Sequence, residues 1–65
     1  VSALSLIERY VAAVEFGALR HCRNADQRYG WMRASMVALA ARLAESDDPM
    51  ATLLYIVEAE EKRAA

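Results

Sequence analysis

"RHCRNADQRYGWMR", Arg20 to Arg33, decides the fold, because the chain either turns within it or runs straight through it as one helix. It holds the only His, the only Cys, the only Trp and half of the cationic side chains. Asn24 is a good helix cap, and Gln27 stands three residues on, at the capping-box position. Gly30 offers an alternative stop, with the chain reversing just before Trp31. Yet the apolar spacing Ala18, Cys22, Ala25, Tyr29, Met32 continues through the stretch. A single helix of over forty residues would show the same spacing and would need a partner along its length. The capping residues favour a turn near 23–26.

Upstream, a helix is predicted from about residue 2 to 22. Leu4, Ile7, Val11, Val14 and Ala18 recur at spacings of three and four, while Ser5, Glu8, Ala12 and Glu15 share the other side. Ala13 and Gly17 form a small-x-x-x-small pair that suits close approach of another backbone. Downstream, a second helix is predicted over 26–45 with the stripe Tyr29, Met32, Met36, Leu39, Leu43. Between Tyr29 and Ala44 its only charges are Arg33 and Arg42, nine positions apart and so on opposite sides. Such a helix has no continuous polar face, which predicts that it lies at the centre, enclosed by neighbours. Ala34, Ala38 and Ala41 would serve a second, tighter helix contact.

"AESDDPM" supplies the next boundary. Pro49 suits a first helical turn, and Asp47 or Asp48 before it is a good N-cap. A third helix is predicted over 49–63. Its run Leu53 to Val57 reads equally as a short buried strand, but no second strand candidate exists to pair with it. Glu58 and Lys62 stand at the favourable i,i+4 spacing, and Lys62 and Arg63 suit the negative end of the helix dipole.

Sixty-five residues make one domain, 1–65, and a chain of this size is marginal alone. One Cys closes no internal disulfide, and one Cys with one His is too few for a four-ligand zinc site. That leaves an unusually good helical core or oligomerisation as the stabilising device. The hydrophobic share of 57% is high, and the surplus suggests burial against a partner. The lone thiol suits a reducing, cytoplasmic setting. No stretch is long and apolar enough to predict a membrane span, and the start at Val1 rather than Met suggests processing or a fragment. Net charge is −1, but residues 1–42 carry six arginines against three acids, and residues 43–65 six acids against Lys62 and Arg63. That dipolar arrangement permits head-to-tail pairing of copies and is also common in helical proteins.

Four groups of residues are weighed for chemistry. His21 and Cys22 are adjacent, so on a helix they point about 100° apart, and no third group orients the imidazole; a buried structural thiol is the better reading. Glu58, Glu60 and Glu61 read as a solvated helix end, since a di-iron bundle needs Glu-x-x-His, which is missing here. Arg20, Arg23, Arg28 and Arg33, interleaved with Tyr29 and Trp31, are candidate contacts for nucleic acid. The sequence pI of about 5.7 argues against that reading, because nucleic-acid modules carry a strong basic excess. Tyr29, Trp31, Met32, Met36, Leu53, Tyr55 and Ile56 form a candidate protein interface, because Met, Trp and Tyr are common anchors.

The expectation is therefore an all-α three-helix bundle, an antiparallel hairpin plus a shorter third helix, that forms homo-oligomers or hetero-complexes. Its expected role is non-enzymatic, without cofactor, metal or membrane: a protein-interaction module acting as a self-associating subunit, adaptor, chaperone-like or regulatory protein. The alternative is a small dimeric nucleic-acid-binding regulator that uses Arg20–Arg33.

Overall fold

The chain turns. A computed structural model describes residues 2–65 and contains three helices: α1 (Ala3–His21), α2 (Ala25–Glu45) and α3 (Pro49–Ala64). Each begins on a capping side chain. The Ser2 hydroxyl accepts from the Ser5 N–H at 3.1 Å, the Asn24 amide oxygen from the Gln27 N–H at 2.9 Å, and the Asp48 carboxylate from the Ala51 N–H at 3.2 Å. These bonds satisfy donors that have no partner within the helix. Gln27 also reaches back, its amide oxygen accepting from the Arg23 N–H at 2.7 Å, which clamps the turn from both sides. Helix α2 passes through Gly30 without interruption, and neither glycine takes a positive φ.

Helix α2 returns along α1, since Tyr10 meets Ser35 while His21 meets Trp31. Helix α3 then lies against both. The central pairing is α1 with α3, and α2 with α3 is the loosest of the three. The core is Leu6, Tyr10 and Val14 from α1, Leu53, Ile56 and Val57 from α3, and Leu39 alone from α2. Here the structure corrects the expectation that α2 is the enclosed helix. Six of its apolar residues are alanines, and an alanine removes far less area from water than a leucine or valine. Large aliphatic side chains on α1 and α3 therefore take the centre. Helix α2 leans on them through Leu39, with half-buried Trp31, Met32, Met36 and Leu43 beside it.

Two polar links tie the ends of the bundle together. Arg9 on α1 donates to both carboxylate oxygens of Glu61 on α3, at 3.1 and 2.7 Å. Arg20 donates to the carbonyls of Ala64 and Ala65 at 3.0 and 3.1 Å, supplying hydrogen bonds to the C-terminal end of α3. Among the described residues, no helix is long and apolar enough to cross a membrane.

Candidate protein-docking surface

Because α2 and α3 meet loosely, a groove of about 400 Å³ opens between them. Tyr10, Leu39 and Ile56 form its floor, Ala34 and Ala38 the α2 wall, and Ala59 the α3 wall. Arg42 and the Glu60–Arg63 pair stand at its rim. The α2 wall continues onto the outer face of that helix, where Val37 is 58% exposed and Ala41 is exposed beside it. On α3, exposed Tyr55 extends the opposite side. The small side chains at Ala34, Ala38 and Ala59 leave room for another helix to approach closely. The tighter helix contact expected of Ala34, Ala38 and Ala41 is not made within the chain: all three are exposed.

The floor is polar at one point. The Tyr10 hydroxyl donates to the Ser35 carbonyl at 2.8 Å, and burial, assisted by the negative charge of Glu60, pushes the phenol above its ordinary pKa. Glu60 itself is only 8% exposed, which corrects the reading of Glu58, Glu60 and Glu61 as one solvated group. It faces inward because Arg63, one turn later, folds back over it with contacts of 2.7 and 2.8 Å. Glu61 turns to α1, where Arg9 holds its carboxyl below the usual carboxylate range by hydrogen bonding. The expected Glu58–Lys62 ion pair is not formed; the ion pairs among the described residues are Arg9–Glu61 and Glu60–Arg63.

The seven interface candidates divide. Leu53 and Ile56 are buried in the chain's own core, with Ile56 also at the floor of the groove. Trp31, Met32 and Met36 pack half-buried against that core. Tyr29 and Tyr55 are exposed, but only Tyr55 stands beside the groove. The residues missed by the sequence reading are Val37 and Ala59. Pattern gave no reason to single out a valine and an alanine; Ala59 emerges as groove lining and Val37 as exposed only in the packed bundle.

Trp31 has a different role. Its ring stacks on His21, with centroids 5.5 Å apart and planes inclined by 18°. A methyl group on Gly17 would sit 3.3 Å from Cζ2 of this indole. At Gly17 the missing side chain thus makes space for the Trp31 ring, while Ala13 is buried near Glu61 and Ala64 of α3. The indole N–H of Trp31 is buried without a protein hydrogen-bond partner, next to a cavity of about 80 Å³ that Glu60 and Arg63 also line. Cys22 is half-buried at the extended cap of α1 rather than inside a core stripe.

The four arginines do not converge on one face. Arg20 is engaged with the end of α3, and Arg23 lies in the turn. Arg28 and Arg33, five positions apart on α2, project about 140° apart. No three His, Cys, Asp or Glu side chains converge among the described residues. A second apolar surface exists on the outer side of α1, where Leu4, Phe16 and Leu19 are exposed. It is interrupted by exposed Glu8 and Glu15, the ordinary pattern of singly scattered surface hydrophobics. The α2–α3 surface is apolar and concave, and a second hollow of about 340 Å³ lies between α1 and α3, lined by Ala12, Ala13, Phe16 and Ala64 with Arg9 and Glu61. Comparison with protein-family models, curated proteins and solved structures finds no match to this chain.

Proposed function

We propose that this chain is a non-enzymatic protein-interaction module whose working surface is the α2–α3 groove with the outer face of α2. The residues that carry the reading are Ala34, Val37, Ala38, Ala41, Tyr55 and Ala59. A single observation supports it most: a 21-residue helix, α2, buries one residue, Leu39, and leaves an uncharged run of mostly small apolar residues, Ala34 to Ala41, largely uncovered. A helix is the natural occupant of such a groove, because its ridges fit between the small side chains of two neighbouring helices. The chain would then serve as a self-associating subunit, an adaptor or a regulator, with the free thiol of Cys22 suiting a reducing, cytoplasmic compartment.

The reading is tested by placing a photo-reactive amino acid at position 37 and irradiating the native host. The expected product is a protein adduct that disappears when Ala38→Arg is added to block the groove. An adduct yield at position 37 no greater than at exposed Leu19 would overturn the reading.

A further inference from the structure

We infer that the indole N–H of Trp31 and the carboxylate of Glu60 hold an ordered water molecule between them, in the small cavity where the three helices meet. Among the described residues, Nε1 of Trp31 is the one buried side-chain nitrogen or oxygen without a protein partner. Buried polar groups in folded chains are hydrogen-bonded to protein or to water with few exceptions, because an unmet donor forfeits its hydration. An indole N–H can only donate, so whatever meets it must accept.

The cavity beside this donor fits water in size and in lining. Gly17 and His21 of α1, Trp31 of α2, and Glu60, Arg63 and Ala64 of α3 enclose about 80 Å³. A water takes up about 30 Å³ in the liquid, so the space admits one, whereas pockets for organic ligands begin near roughly 300 Å³. Cavities that stay dry are lined by aliphatic side chains, and this one carries Glu60, Arg63 and His21 beside the indole. An anion would meet the Glu60 carboxylate, and a cation would meet Arg63. A small neutral molecule that accepts from Trp31 and donates to Glu60 suits both ends, and water does both.

Glu60 is the acceptor because it is buried, at 8% exposure, and not saturated. Arg63 approaches its Oε2 twice, at 2.8 and 3.2 Å, but its Oε1 once, at 2.7 Å. A carboxylate oxygen accommodates about two hydrogen bonds, so Oε1 retains capacity for a second donor. Gly17 belongs to the same arrangement. A methyl group there would lie 3.6 Å from Nε1, crowding the edge of the ring that carries the donor. The bridge also has a structural consequence. It joins α2 to α3, the pair of helices with the loosest direct contact, and so supplies a polar tie where apolar packing is thinnest.

A high-resolution crystal structure of the 65-residue chain tests this directly. The expected result is a water oxygen within about 3.2 Å of both Trp31 Nε1 and a Glu60 carboxylate oxygen. In solution, the indole proton of Trp31 should show a dipolar NMR cross-peak to water, told apart from proton exchange by its sign in the rotating frame. That cross-peak should be kept in E60Q, which still offers an acceptor, and lost in E60L at unchanged helicity. The two wild-type measurements stand whether or not E60L folds. A Glu60 oxygen bonded directly to Nε1, or no water density at that position, overturns the inference. A dipolar cross-peak that survives in folded E60L overturns it as well.

Discussion

The hydroxyl of Tyr10 on α1 donates to the backbone carbonyl of Ser35 on α2 at 2.8 Å, a direct hydrogen bond between those two helices. Both residues line the groove between α2 and α3. Removing the hydroxyl with Tyr10→Phe forfeits one buried hydrogen bond and is expected to cost about 1 kcal/mol in denaturant unfolding. The pH dependence has a definite sign. Burial raises the phenol of Tyr10 above 10.0 in the folded chain, so its contribution is complete below that value and is lost as pH rises through the raised one. Wild type should therefore lose stability on the alkaline side more steeply than Y10F.

The Arg9–Glu61 pair gives the opposite dependence. Arg9 lowers the Glu61 carboxyl below 4.5 by hydrogen bonding, so the pair contributes fully above that pH and fades as pH falls through the lowered value. Both side chains are partly exposed, so the effect is modest and screened by salt. Thermal melts between pH 2 and 7 should show a shallower acid limb for Glu61→Gln than for wild type, with the difference shrinking in high salt.

Glu60 and Arg63 behave differently because one partner is buried. Arg63→Ala leaves an inward-facing carboxylate uncompensated and is expected to cost about 1–2 kcal/mol. That is less than a fully buried pair, because the Arg63 side chain is itself 68% exposed. In the double variant with Glu60→Gln, part of that cost should return. Chemical denaturation of the three variants gives the coupling directly, and additive losses would show that the pair is not a unit.

Gly30 is the cheapest site for stabilisation. It lies inside α2 with ordinary helical backbone, and a methyl group there meets nothing within 4 Å. Gly30→Ala should raise stability by about 0.5–1 kcal/mol, visible as a higher urea midpoint at unchanged slope. Gly17→Ala is the instructive contrast, since its methyl group presses on Trp31. There the gain in helix propensity must be set against displacement of the indole.

Where the helices begin was legible because capping is local: Asn24 with Gln27, and Asp48 with Pro49, act within a single turn. The rank order of burial among the helices was not. Periodicity reports that Ala34, Ala38 and Ala41 are apolar, but not that they lose the competition for the centre to Leu6, Val14, Leu53 and Val57. For the same reason Leu53 read as a surface anchor when it is core. The inward turn of Glu60 depends on Arg63 folding over it, and the place of Trp31 depends on the α1–α2 register that sets it against Gly17. Neither is a property of spacing. The surplus of apolar residues was thus legible, while which of them stay exposed emerged only with the packing of the three helices.

Methyl NMR with a soluble paramagnetic agent tests the central claim most directly. At millimolar concentration the methyl groups of Ala34, Val37 and Ala38 should be protected from relaxation, while those of Leu4 and Leu19 on α1 are strongly broadened. The protection should vanish in Ala41→Glu, whose charge falls on the same face. If Val37 is broadened as strongly as Leu19 at every concentration, the outer face of α2 is not covered by self-association, and a self-associating role for this surface is contradicted.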